Sequence, residues 1–223
     1  MSVADQDQEK RTAADAATAE PSEAVAAARS ALADELRRLI DVVVTNVAPA
    51  SELDAAAHAI AAVTERLAVH VGDPRPPRHP TAPTSDPADF FPFDCVLGRF
   101  SPLAVPVAVG WEDPLAIGRV RYAAPYEGPP GCVHGAVIAA TFDQVFNVAN
   151  LMRGTPGPTR RLEIRYRKPT PLGRDLRFEG WQERVEGRDV HVAGRLVAGD
   201  VVTVEASGTF VQLPPERVLK LLG

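Results

Sequence analysis

The stretch Gly128-Pro-Pro-Gly-Cys-Val-His-Gly-Ala-Val-Ile-Ala-Ala-Thr-Phe-Asp143 decides how the rest of the chain is read. Its Gly/Pro start is incompatible with helix, and it opens onto Val133 to Met152, a run apolar nearly all the way round. That pattern predicts a buried helix. Asp143 sits inside it beside Ala139, Ala140, Phe142, Val145 and Phe146, where an unpaired charge is costly, so this carboxylate needs a partner or a task. At the helix start, Gly131 and then His134-Gly135 leave the first-turn N–H groups free and let a ligand approach the backbone. Those donors, with the positive end of the macrodipole, suit an oxygen gaining negative charge, and Gly135 N–H is the donor of choice.

The spacing sets a limit. Nine helical positions at about 100° each put His134 and Asp143 half a turn apart in azimuth and about 13 Å apart along the axis. One helix cannot bring both to one atom. A second copy, antiparallel across a two-fold, can place the helix start of one subunit opposite the Asp of the other, which predicts a homo-oligomer with shared sites.

The string Gly-Pro-Pro-Gly-Cys-Val-His-Gly-Ala followed by Asp143 resembles the hotdog-fold acyl-CoA thioesterases of the phenylacetate-pathway type, most closely their thioesterase-superfamily-member branch. Arg165-Tyr-Arg-Lys-Pro-Thr-Pro-Leu172 is similar to that family's third strand and turn, and the resemblance covers roughly 93–213. It implies an α+β hotdog fold: a curved antiparallel sheet wrapped around one long buried helix. It also implies acyl-CoA as substrate, hydrolysis without a cofactor or metal, and a dimer or dimer of dimers. One departure is Ala136, where the family usually has a second Gly; the Gly135 donor is kept and the approach to the thioester is tightened.

Outward from the motif, the chain divides into expected regions. Residues 1–22 carry almost no large apolar side chain and read as a disordered tail. Residues 23–71 hold two amphipathic stretches forming an N-terminal helical hairpin extension. The first runs from Glu23 to about Val47, with Leu32, Leu36, Leu39, Ile40 and Val43 at helical spacing. The second follows a Ser51/Asp54 capping box and carries Leu53, Ala57, Ile60, Val63 and Leu67. The plainer reading of the hairpin is a packing extension at a dimer edge; the alternative is a lid over an acyl channel. Residues 72–92 contain seven prolines and read as a semi-rigid linker. The thioesterase-like domain spans 93–213 and a short tail spans 214–223.

Within that domain, strands are expected around Val105 to Val109 and Ala116 to Tyr122. After the helix, Thr159 to Arg167 alternates Leu162, Ile164 and Tyr166 against Arg161, Glu163, Arg165 and Arg167. Leu176 to Val185 follows, then a Glu186-Gly187 turn and a return strand burying Val190, Val192 and Leu196. A last strand after Ala198-Gly199-Asp200 carries Val202, Val204, Ala206 and Phe210. The four strands after the helix are expected to form a meander.

Composition excludes several functions. The chain has 223 residues, 45% hydrophobic, enough for one good core, and a net charge of -5 argues against general nucleic-acid or anionic-membrane binding. Cys95 and Cys132 form neither a disulfide framework nor a zinc spacing. With no signal-peptide pattern and no membrane-length run, a cytoplasmic protein is the default expectation.

Thioester hydrolysis needs an oxygen nucleophile, a base and oxyanion donors. Asp143 can deprotonate water or attack the carbonyl itself, and the sequence does not choose between them. His134 either bonds the thioester carbonyl or shapes the turn. By resemblance, Thr159 supplies a small hydroxyl that orients water or Asp143; the plainer view is a Thr opening a strand. Arg160, Arg161, Arg165, Arg167 and Lys168 cluster near the expected rim. Arg167 and Lys168 are the better candidates for coenzyme A phosphates, although alternating Arg on a strand is more often salt-bridged surface. A non-catalytic acyl-CoA-binding module is the competing function, against which the buried carboxylate counts. A hydratase calls for a His/Asp pair in a different motif, which is not found.

Overall fold

The computed structural model describes residues 23–71, 89–105 and 107–214. The expected N-terminal tail, residues 72–88 of the expected linker and residues 215–223 of the C-terminal tail lie outside the described residues. Helices α1 (Glu23–Thr45) and α2 (Ala50–Ala68) come first. They are followed by β1 (Ala108–Glu112), β2 (Leu115–Val120), a 3-10 turn (Ala124–Tyr126), α3 (Gly135–Met152), β3 (Thr159–Tyr166), β4 (Leu176–Glu186), β5 (Asp189–Ala198) and β6 (Val201–Val211). The six strands form one antiparallel sheet in the order β1-β2-β4-β5-β6-β3. This is the hotdog arrangement, with α3 as the filling: it touches every strand of the sheet.

The helix can lie that close because side chains are missing where it crosses the sheet. Gly180 on β4 and Gly194 on β5 are cross-strand partners. A Cβ on Gly194 would stand 2.7 Å from the Phe146 ring and 2.5 Å from the Glu179 carbonyl oxygen; one on Gly180 would stand 2.8 Å from Val145 Cγ1. The vacated space is filled by aromatics. Phe142, Phe146, Phe178 and Phe210 are wholly buried, with Phe142 edge-on to Phe178 at 4.9 Å and Phe146 nearly perpendicular to Phe210 at 6.4 Å. The period-two alternation turns Glu179 to the opposite face, where Arg195 Nε at 2.6 Å and Arg177 Nε at 2.8 Å hold its carboxylate.

Several expectations are corrected. The strands after α3 are not a simple meander: β4, β5 and β6 are, but β3 crosses to the far edge and pairs with β6, while β4 pairs with β2. Alternation reports which face a residue takes, not which strand lies beside it. The first strand is Ala108–Glu112 rather than Val105 to Val109, because the preceding loop gives its carbonyls to α1: Arg37 donates to Gly98, Arg99, Ser101 and Ala104. The central helix starts at Gly135 instead of Val133, since Val133 N–H is committed to the Thr170 carbonyl and Cys132 bridges Pro171. In β6 a register shift opposite Leu196/Val197 leaves Val202 half-buried and turns Thr203 inward. The β4–β5 turn is Gly187-Arg188, one residue later than expected.

The N-terminal helices also differ in detail. Ser51 lies within the first turn of α2, whose cap residue is Pro49, and makes no capping bond; α1 already ends at Thr45. The face of α1 on the body is centred on Ala33, with Leu36, Arg37 and Leu39 half-buried, so Leu32, Ile40 and Val43 stay exposed. Arg29 completes the anchorage by stacking over Phe93 at 5.4 Å and Phe100 at 5.7 Å.

If the paired glycines set the helix-to-sheet distance, Gly194→Ala overpacks that crossing. It should cost about 1–3 kcal/mol, read as a fall of about 2–4 °C in Tm per kcal/mol. Ala at half-buried Gly110, where a Cβ meets nothing within 4 Å, serves as the control expected to leave Tm nearly unchanged.

Candidate functional site

The start of α3 is built by a turn and closed by its own histidine. Gly131, at φ 73°, takes the left-handed conformation that ends the Pro-Pro turn. Glu127 accepts from its N–H at 2.6 Å. His134 is the cap residue, in extended conformation, and its Nδ1 accepts from Ala136 N–H at 3.1 Å. Accepting at Nδ1 places the proton of a neutral ring on Nε2, which faces outward as a donor. Gly135 N–H meets no acceptor among the described residues. Here an unused backbone donor and an imidazole donor flank one helix N-terminus, the arrangement suited to an oxygen acquiring charge. Ala136 is exposed, with its N–H already taken by the histidine.

Tyr166, at the end of β3, closes over the same spot. Its hydroxyl donates to the Gly135 carbonyl at 2.7 Å, and a Cβ on Gly135 would meet that hydroxyl at 3.0 Å. The sequence reading placed Tyr166 with Leu162 and Ile164 on the apolar side of the strand; it shares their side but is 53% exposed, beyond the core and over the helix start. The signal that marks it is its place as the last alternating residue before the turn at Pro169.

Asp143 lies further along α3, half-buried. Thr159 Oγ1, at the irregular first position of β3, donates to its Oδ1 at 2.6 Å. Burial raises the carboxyl above its ordinary value, the Thr159 hydrogen bond works against that by favouring the charged form, and the negative charge of Asp94 adds to the rise. Asp94 is a second residue the sequence reading passed over. It belongs to the loop anchored by Arg37, caps it by accepting from Val96 and Leu97 N–H at 2.7 and 2.9 Å, and receives Gln144 Nε2 at 3.2 Å. Only the fold brings it beside α3, fifty residues away in sequence.

The chain therefore brings Thr159 to Asp143 and Tyr166 to Gly135, but leaves the Asp143 pair and the His134–Gly135 pair apart along one helix. Of the phosphate candidates, Arg167 spends both Nε and Nη2 on Glu205, at 2.9 and 2.7 Å, while exposed Lys168 forms no ion pair among the described residues. Arg160 pairs with Asp189, and Arg161 and Arg165 with Glu163, so the arginine cluster is largely salt-bridged surface. Among the described residues no helix is long and apolar enough to cross a membrane.

Comparison with known proteins places these features in a family. The family description "Thioesterase superfamily" matches residues 130–208, which contain the helix start, Asp143, Thr159 and Tyr166. The acyl-coenzyme A thioesterase THEM4 of Mus musculus is 33% identical over 95 residues, 42% of this chain and 41% of that protein. THEM5 of Homo sapiens is 30% identical over 93 residues, 41% of this chain and 38% of that protein. The chain thus matches less than half the length of these curated relatives. A crystal structure described as a thioesterase superfamily protein is 32% identical, with a TM-score of 0.71, covering 87% of this chain and 94% of the other. Because that likeness combines 32% identity with nearly the whole length of the other chain, this chain belongs to the thioesterase superfamily.

Proposed function

We propose that the chain is an acyl-CoA thioesterase that hydrolyses a fatty or aromatic acyl-CoA to the free acid and coenzyme A. The observation that carries this is the Thr159–Asp143 hydrogen bond of 2.6 Å on a carboxylate whose burial raises its proton affinity. Asp143 is the general base. It accepts a proton from water through Oδ2, Thr159 holding Oδ1, and the water oxygen attacks the thioester carbon. The oxyanion is received by Gly135 N–H, with His134 Nε2–H as the second donor. As the carbonyl re-forms, the C–S bond breaks and the coenzyme A sulfur takes the proton back from Asp143.

Because Gly135 and Asp143 lie on one helix too far apart to meet one carbonyl, the two halves of each site come from two copies of the chain, in a dimer or dimer of dimers. Lys168, without a carboxylate partner among the described residues, contacts a coenzyme A phosphate, and Arg167 joins it by releasing Glu205. The expected division into tail, helical extension, linker and thioesterase domain is retained as part of this proposal. The names of the curated relatives support the choice of substrate class.

Release of free thiol from a panel of acyl-CoAs tests the reading. Turnover should fall at least about a hundredfold in Asp143→Asn, the scale of a positioned base. No turnover on any acyl-CoA, with binding retained, would instead make the chain an acyl-CoA-binding module. A single turnover in 18O-water should put label directly in the acid; label found first in Asp143 would make the carboxylate the nucleophile.

The pH profile offers a test with opposed signs. The base works deprotonated, so activity rises as pH passes through the Asp143 pKa. Thr159→Val removes a bond that favours the charged form and should move this acidic limb to higher pH. Asp94→Asn removes a like charge and should move it to lower pH. Shifts in the same direction would show that Asp143 does not set the limb.

A further inference from the structure

Helix α2 is the part of the described chain that stays uncovered. Every residue from Ala50 to Ala68 is exposed. Yet its side chains are not those of a solvated helix: Leu53, Ile60, Val63 and Leu67 remain 47%, 40%, 41% and 43% exposed. A lone helix of this length is marginal in water, and an apolar stripe on a helix normally has a face to lie against. Nor does α2 hang from a loose base, since Arg29 and Arg37 pin α1 to the body immediately before it.

The pattern of the stripe specifies its occupant. At 100° per residue, Leu53, Ile60 and Leu67 lie within about 20° of one line, and Ala57 and Val63 flank it symmetrically. The stripe is therefore nearly palindromic about Ile60. Glu52 in the first turn and Arg66 in the last turn lie on the same flank, about 80° and 120° from that line. Antiparallel pairing about a two-fold at Ile60 then sets Leu53 against Leu67 of the second copy and brings Glu52 beside Arg66 of the second copy, at both ends. It also opposes the two helix dipoles, whereas parallel pairing aligns them. Alanines at 56 and 57, about 40° and 60° from that line, keep the interaxial distance within the usual range of about 8–10 Å.

We propose that α2 is a self-association surface, pairing antiparallel with α2 of a second copy of this chain around Ile60. This pairing is independent of the catalytic reading of Asp143, and its test does not use activity.

The experiment takes the full chain with Cys95→Ser and Cys132→Ser and adds one cysteine, either Ile60→Cys at the centre of the stripe or His58→Cys on the opposite face. Under mild oxidation, Ile60→Cys should form a covalent dimer with at least about tenfold the yield of His58→Cys, because a disulfide needs Cα atoms within about 7 Å. Arg66→Glu in the Ile60→Cys chain should lower that yield, and adding Glu52→Arg should restore it. Equal yields from the two cysteines, or none from Ile60→Cys, overturn the proposal. So does a result in which Ile60→Glu lowers the assembly mass by light scattering while Ile60→Cys fails to cross-link, since α2 then docks on another surface. Unchanged melting of the body in Ile60→Glu separates loss of association from loss of folding.

Discussion

The contact on which this fold depends is between a helix and two missing side chains. Where α3 crosses the middle of the sheet, Gly180 and Gly194 face each other and the ring of Phe146 occupies the space their side chains would take. Close-packed interiors tolerate little volume error, so this crossing sets how near the helix lies to the sheet. Everything on the helix inherits that position. Asp143, one turn before Phe146 and Asn147, ends within hydrogen-bond reach of the first residue of β3, and the start of the helix ends under Tyr166 at the last residue of β3. One edge strand thus braces both the start and the middle of one helix.

The electrostatics follow from the same placement. A carboxylate on an otherwise uncharged helix would be untenable at full burial, and at the surface it would have no raised proton affinity. Asp143 is held between these, half-buried, with one hydrogen bond favouring its charge and the Asp94 loop opposing it. That loop is itself held by α1, through an arginine that satisfies four main-chain carbonyls. The N-terminal extension is therefore tied to the environment of the carboxylate, while α2 beyond it presents a stripe outward.

Much of this was legible in the chain. The apolar run after Gly131 could only be a buried helix, and the single carboxylate within it had to be partnered. Period two assigned the faces of the strands, because alternate side chains on a pleated strand point to opposite sides. The hidden residues were those whose role lies in a contact distant in sequence. Tyr166 looked like one more apolar strand position, and Asp94 like one more loop acid. Neither pattern reports what a side chain meets fifty residues or one helix away.

By itself, then, the sequence determined local conformation and the inventory of chemistry: a turn, a helix start with a free N–H, a carboxylate, a hydroxyl and alternating strands. These depend on backbone preference and on nearest neighbours, which residue order specifies directly. The tertiary structure alone decided adjacency. It sent β3 to the far edge beside β6, drew Asp94 to α3, paired Arg167 with Glu205 and left α2 uncovered. Those outcomes rest on which surfaces fit together at close packing and which charges come within a few ångströms, and neither is a property of any short stretch of chain.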